Sequence, residues 1–198
     1  LGLALLNSDA EVQHWLDWPD WRLPKRRLHA GDLISAVLAK DQDAVKRLLA
    51  LAVPVNGFDS KGSTALIHAC GQGQLAIVRM LISHGAKIDD PAANGVTPLW
   101  AAVSQGHEEV LLALLEQQVD VNQSVAGFTP LILACRSGRV EMAGRLLECG
   151  ADIAACDTQE QTALHAAASF LVSDAARLDS VVLIDTLFRA GSAVASAD

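Results

Sequence analysis

Thr97-Pro98-Leu99-Trp100-Ala101-Ala102-Val103-Ser104-Gln105-Gly106 is the stretch whose reading decides the fold. A Thr hydroxyl can cap a helix, and Pro98 suits the first turn, where a missing N–H costs nothing. Leu99, Ala101 and Ala102 continue as a short apolar helix, which Gly106 breaks. Val110, Leu111, Leu114 and Leu115 then stand at helical spacing and predict a second helix from about Glu108 to Glu116. Val119-Asp120-Val121-Asn122 reads as an extended return, and Ala126-Gly127 as a turn before Thr129. The order is helix, turn, helix, β-turn.

The pattern recurs. Thr64-Ala65-Leu66, Thr97-Pro98-Leu99, Thr129-Pro130-Leu131 and Thr162-Ala163-Leu164 are spaced by 33, 32 and 33 residues. Gly73 and Gly138 take the place of Gly106 in two of the other units. Such a period describes a stack of units, each burying its apolar face on its neighbours, rather than a closed globule around one site. The period extends outward. Gly31 lies 33 residues before Thr64, and Leu33, Ala36, Val45, Leu48, Leu49, Val55 and Asn56 follow in register although the Thr and Pro are gone. One period earlier, Leu1, Leu3 and Ala4 fill a first helix, Ser8-x-x-Glu11 makes a capping box, and Val12, Trp15 and Leu16 fill a second. The expectation is one domain over residues 1–198 with six units: 1–29 (partial), 30–62, 63–95, 96–127, 128–160 and 161–198. The last unit runs 29 residues from Thr162 to Gly191, against 21 from Thr64 to Gly85, so an insertion is expected around Phe170 to Leu178. It is either a neutral lengthening or a partner contact or cap. Leu183, Ile184, Leu187 and Phe188 leave the final helix apolar, so the array is expected to continue past Asp198 or to meet another chain there.

Composition narrows the function classes. Hydrophobic residues make up 51%, aromatics 4%, and the formal net charge is −8. High apolar content with moderate charge argues against disorder. Between Lys87 and Arg136 no Lys or Arg occurs, while Asp89, Asp90, Glu108, Glu109, Glu116 and Asp120 do. Nucleic-acid binding is not expected, because phosphate neutralisation needs an extended basic surface. The acidic stretch reads as a solvated face, with a basic partner as its alternative. Trp15, Trp18 and Trp21 lie near Lys25-Arg26-Arg27 and either cover the open end of the array or form a patch for an acidic partner. No apolar run reaches the length of a membrane span. Cys70, Cys135, Cys149 and Cys156 include no C-x-x-C pair and read as thiols of a reducing, cytoplasmic compartment, with Cys156 in a connecting loop.

Catalytic and cofactor motifs are missing. There is no H-E-x-x-H, G-x-S-x-G, P-loop or dinucleotide fingerprint, and Gly71-Gln72-Gly73 reads as an inter-helix turn. His14, His29 and His68 do not cluster with Cys at metal-ligand spacing. No catalytic, cofactor or metal site is therefore expected. Asn122-Gln123-Ser124 is a glycosylation sequon that reads as a chance match.

Thr97-Pro98-Leu99, Thr162-Ala163-Leu164-His165-Ala166-Ala167, Gly150-Ala151-Asp152-Ile153 and Val119-Asp120-Val121-Asn122 together resemble the ankyrin repeat over essentially the whole chain. The resemblance implies an all-α, ankyrin-repeat solenoid of stacked helix-turn-helix units joined by β-hairpin-like loops. It implies that His165 braces its turn, and that His84 and His107 are structural. It also implies that hairpin tips and first helices line a concave face that takes a protein partner. By position the candidates are Phe58, Asp59, Lys61, Asn94, Val96, Phe128 and Gln159 at the tips, with Ser104, Gln105 and Arg136 from first helices. Phe58, Phe128 and Arg136 are the expected anchors, since aromatic and Arg side chains dominate binding energy. Trp100 stands where the family has His and either packs between units or edges into the groove. The implied function is a non-catalytic protein-binding module. The alternatives are the targeting or substrate-recruitment segment of a larger enzyme or effector, and a structural spacer.

Overall fold

The computed structural model describes residues 28–170 and 177–195. The expected first unit with its Trp and basic residues, the middle of the insertion (171–176) and Asp198 lie outside the described residues. Ten helices and no regular strand are found among the described residues, in agreement with the all-α expectation. They form five successive pairs. These are α1 (Ala30–Leu38) with α2 (Gln42–Ala50), α3 (Ala65–Gly71) with α4 (Leu75–Ser83), and α5 (Pro98–Gln105) with α6 (Glu108–Leu115). Then come α7 (Pro130–Arg136) with α8 (Val140–Glu148), and α9 (Ala163–Phe170) with α10 (Arg177–Ala195). The chain divides into two compact units, Leu1–Pro98 and Leu99–Asp198.

Local chemistry explains where the helices begin. The Thr64 and Thr129 hydroxyls each accept the amide three residues on, from Ile67 and Ile132 at 3.3 Å. Where Thr is lost before α1, Asp32 reaches back instead and accepts the His29 amide at 2.9 Å. Asp41 Oδ1 caps α2 through the Ala44 amide at 2.8 Å. The second helices α4 and α8 start on Gln74 and Arg139, whose side chains do not cap their own helix. They reach back instead to the preceding pair. Gln74 Nε2 donates to the Val37 carbonyl of α1 at 2.9 Å. The Arg139 guanidinium donates to the Val103 carbonyl and, at 3.2 Å, to that of Ser104 in α5. Carbonyls in the last turn of a first helix thus accept a further bond from the next pair.

Left-handed backbone recurs in register at three places per pair. Between the paired helices stand Lys40 (φ 59°), Gly73 (69°), Gly106 (80°) and Gly138 (64°). After the second helices stand Ala52 (56°), Gly85 (82°), Gln118 (58°) and Gly150 (85°). At the hairpin tips stand Gly62 (72°), Gly95 (82°), Gly127 (86°) and Glu160 (59°). The fold therefore holds the same turn where Gly has been replaced by Lys, Ala, Gln or Glu.

The tips explain the single short interval. Asp59 with Ser63, Ala92 with Val96, and Asp157 with Gln161 close identical three-residue loops through amide-to-carbonyl bonds of 3.0, 2.8 and 2.9 Å. Between Val125 and Phe128 the loop has two residues, Ala126 and Gly127, both left-handed (φ 50° and 86°). Val125 and Phe128 exchange both backbone bonds at 3.0 Å, the geometry of a type I′ hairpin turn. One residue fewer there makes the 32-residue step.

Within Leu1–Pro98, α1 packs on α3 and α2 on α4, burying Leu33, Leu48, Leu66, Ile77 and Leu81 to 1% exposure or less. Within Leu99–Asp198, α7 packs on α9, and α8 on α6 and α10, around Leu111, Leu114, Leu131, Ile132, Leu146 and Leu183. Ala69, Ala134 and Ala167 are fully buried on first helices, where a small side chain lets backbones approach. Asn amides fasten the returning segments. Asn56 donates to the Gly85 carbonyl at 3.0 Å and accepts the Lys87 amide at 2.8 Å. Asn122 does the same to Gly150 and Asp152 at 3.3 and 2.8 Å.

Two predictions follow from these turns and this core. Lys40→Gly and Gln118→Gly relieve a left-handed residue at exposed positions and should each raise unfolding free energy by about 0.5–1 kcal/mol in urea denaturation, the left-handed strain exceeding the entropy cost of Gly. The cysteines should divide two and two. Burial pushes the Cys135 thiol up to about 12 and the Cys70 thiol up as well, while Cys149 and Cys156 are exposed. A thiol reagent at pH 8 should modify Cys149 and Cys156 in the native protein, and Cys70 and Cys135 only on unfolding.

Candidate partner-binding surface

In the unit Leu1–Pro98 the first hairpin tip presents Phe58, Asp59 and Lys61 together. Phe58 is 72% exposed and forms an isolated antiparallel bridge with Thr64. That is unusual exposure for so large an apolar side chain. Asp59 holds the tip from inside. Its Oδ1 accepts the amides of Lys61 and Ser63 at 2.8 and 2.9 Å, and its Oδ2 lies 2.8 Å from His68 Nε2 on α3. Burial acts to raise the Asp59 carboxyl pKa, but the His68 bond and the Ser63 and Lys61 amides outweigh it and hold the group below its ordinary range. The carboxylate thus organises the loop that displays Phe58 and the exposed Lys61. At the next tip Asn94 is exposed and its Oδ1 accepts the Val96 amide at 3.2 Å, while Val96 is half-buried.

In the unit Leu99–Asp198 the structure brings two of the expected anchors together. The Arg136 guanidinium at the end of α7 stacks over the Phe128 ring, 4.4 Å from its centroid. Arg136 is exposed and Phe128 half-buried, and no described carboxylate forms an ion pair with this Arg. A stacked guanidinium loses less freedom on binding and keeps its N–H fork available. Gln159 occupies a tip built like the one at Asp59. Asp157, in register with Asp59, accepts the Gln159 and Gln161 amides at 2.8 and 3.0 Å.

On α5, Trp100 is half-buried and Gln105 exposed. Ser104 is committed to its helix, donating to the Ala101 carbonyl at 2.9 Å, and its own carbonyl accepts from Arg139. The sequence pattern did not single out Gln74, Arg139, or His68 as the partner of Asp59. The recurrence of Asp six residues ahead of a first helix, at Asp59 and Asp157, was the available signal for the tip brace.

Two other residues have plain structural roles. His165 Nδ1 accepts the Thr162 amide at 3.2 Å and lies 2.9 Å from the Thr162 hydroxyl, bracing the turn. Asn122 of the sequon spends its amide group on Gly150 and Asp152. The acidic residues of the middle stretch fall partly on second helices. Glu108 and Glu109 are exposed in the first turn of α6, where carboxylates oppose the positive helix end. Among the described residues no helix is long and apolar enough to cross a membrane.

A family model described as ankyrin repeats (3 copies) matches residues 33–125 and again 118–178. The chain is 32% identical over 168 residues to the ankyrin repeat protein nuc-2 of Neurospora crassa, covering 83% of this chain and 15% of that protein. It is 40% identical over 99 residues to the human ankyrin repeat and KH domain-containing protein 1, covering 48% of this chain and 4% of that one. Against the chicken nuclear factor NF-kappa-B p105 subunit it is 31% identical over 147 residues, 71% of this chain and 15% of the other. The chain thus spans only a small fraction of the curated relatives it matches. With the paired helices, hairpin tips and Asn-held returns of the fold, these matches show that the chain belongs to the ankyrin repeat family.

Proposed function

We infer that this chain is a non-catalytic module that takes a protein partner on the face made by its hairpin tips and first helices. The observation that carries the reading is the Arg136–Phe128 stack at 4.4 Å, an exposed cation held in place with no described carboxylate using it. Phe58, 72% exposed on a tip braced from inside by Asp59, is its counterpart in the other unit. Hot spots are enriched in such aromatic and Arg anchors. Lys61, Asn94 and Gln159 then serve as adaptable polar contacts at the tips, and Gln105 does so from α5. Asp59 and Ser104 position their neighbours rather than touch the partner, and Trp100 and Val96 pack beneath. Neither a cofactor nor a nucleic acid is part of this reading, and the buried thiols suit a reducing cytoplasm. A second reading, a recruitment segment of a larger enzyme or effector, is favoured by the small share of each relative that the chain spans.

Affinity capture from native lysate, followed by titration calorimetry of the captured partner, tests the assignment. Phe128→Ala and Arg136→Ala should each weaken binding by about 30-fold, the effect of a hot spot near 2 kcal/mol. Phe58→Ala should do the same for a partner held by the first unit. Glu109→Ala, on the second helix α6, should leave affinity within about twofold. Unchanged affinity in all three anchor variants would sink the surface assignment and leave the spacer reading.

A further inference from the structure

Arg136 stands seven residues after Thr129, and the same register position is Ser104 on α5 and Ser169 on α9. Ser104 donates its hydroxyl to the Ala101 carbonyl at 2.9 Å, and Ser169 donates to that of Ala166 at 2.8 Å. A long, exposed cation therefore stands in register with two short side chains whose hydroxyls are spent on their own helices. Leu133, three residues earlier on α7, is half-buried and shares the helix face of Arg136. The Phe128 ring, 4.4 Å away, holds the guanidinium from the side of the tip.

The carboxylates of this unit are elsewhere. Helices α5, α7 and α9 contain no Asp or Glu, whereas α6 and α8 carry Glu108, Glu109, Glu141 and Glu148. Between Asp120 and Glu141 the chain has no carboxylate at all. At the following tip, Asp157 is turned onto the Gln159 and Gln161 amides at 2.8 and 3.0 Å. The other Arg side chains described in the unit Leu99–Asp198 are already engaged. Arg139 bonds the Val103 and Ser104 carbonyls, Arg145 pairs with Glu148 at 3.0 Å, and Arg189 pairs with Asp185 at 2.7 Å. Arg136 has the Phe128 ring and no described carboxylate.

Two constraints select what can sit there. A guanidinium fork matches a carboxylate with two parallel hydrogen bonds and repels an ammonium group. The chain as a whole carries a formal net charge of −8, so a tract of many carboxylates is repelled on approach. The first helices α5, α7 and α9 offer such a tract no second Lys or Arg. The half-buried Leu133 and Phe128 beside the cation favour apolar groups next to the charge.

We propose that the partner presents to α7 an extended segment with a single carboxylate, paired to the Arg136 fork, and an adjacent apolar side chain against Leu133 and Phe128. This rests on the assignment of the binding face to the hairpin tips and first helices, and it names the chemistry that face takes.

Phage display of random linear peptides on the immobilised full chain supplies the probe, and titration calorimetry of a selected synthetic peptide reads it. The selected sequences should share one Asp or Glu beside an apolar residue. Replacing that carboxylate by its amide should weaken binding about tenfold, the effect of one charge-assisted hydrogen bond. Against the Arg136→Gln variant the same replacement should change affinity by less than about twofold, since the two groups act as a pair. A second Glu added beside the first should bring no gain. Peptides that lose affinity on Phe128→Ala or Arg136→Ala yet tolerate the amide would keep the binding face and overturn the carboxylate. Tighter binding of polyacidic peptides, or a library that yields no peptide with the shared carboxylate, would overturn it too. Binding indifferent to both Ala variants would sink the face itself.

Discussion

Helices of seven to nine residues cannot stand alone in water, and nearly everything in this molecule follows from that constraint. From α1 to α9 no helix exceeds nine residues. Forming the first turn costs more than so few backbone hydrogen bonds return, so each pair is stable only with its apolar face covered by another. The residues that are most buried are accordingly those at the stacking register, Leu33 and Leu66 in one unit, and Leu131 and Leu146 in the other. Ala at the first-helix contacts keeps the pairs close enough for those Leu side chains to meet. Deleting such a residue would therefore weaken two pairs rather than one.

Short helices also leave many backbone groups without partners, because each end orphans up to four. The chain meets this with side chains that reach across pairs. Asn56 and Asn122 each satisfy a carbonyl and an amide of the next returning segment. Gln74 and Arg139 satisfy carbonyls at the end of the preceding first helix. These bonds do for the irregular segments what a sheet ladder does for strands. They fix the offset between neighbouring pairs more sharply than non-directional apolar contact can.

The period made the helix pairs legible, since Thr capping, Gly breaks and helical spacing are local signals that agree with one another. It reached even α1 and α2, where Thr64's counterpart is gone, because Leu33, Val45 and Leu48 keep the core spacing. Lys40 and Gln118 show why a Gly was not needed to keep the turn. The surrounding packing over-determines the left-handed backbone and absorbs its strain. What spacing alone did not reveal were bonds between residues of different pairs and the inward use of polar side chains. Asp59 reads as an exposed tip carboxylate, yet it is turned onto two amides and His68. The meeting of Phe128 with Arg136 likewise depends on the two-residue turn at Ala126-Gly127, whose consequence is three-dimensional.

The arrangement separates stability from recognition. Tips carry their own internal bracing, an Asp on two amides at the first and last, and a two-residue turn at Val125–Phe128. Their outer residues are consequently relieved of any duty to the fold, and Phe58, Lys61 and Gln159 contribute little to the core they stand on. Substitution there changes the surface without touching the stack. A side chain such as Asn122, equally exposed but holding two backbone groups of the next pair, has no such freedom. Exposure alone therefore does not mark a recognition residue in this fold. The discriminating property is whether the side chain's polar atoms are already spent within the chain, and by that measure Arg136, stacked on Phe128 with its N–H fork unclaimed by any described carboxylate, differs from Asn122, whose amide is fully engaged.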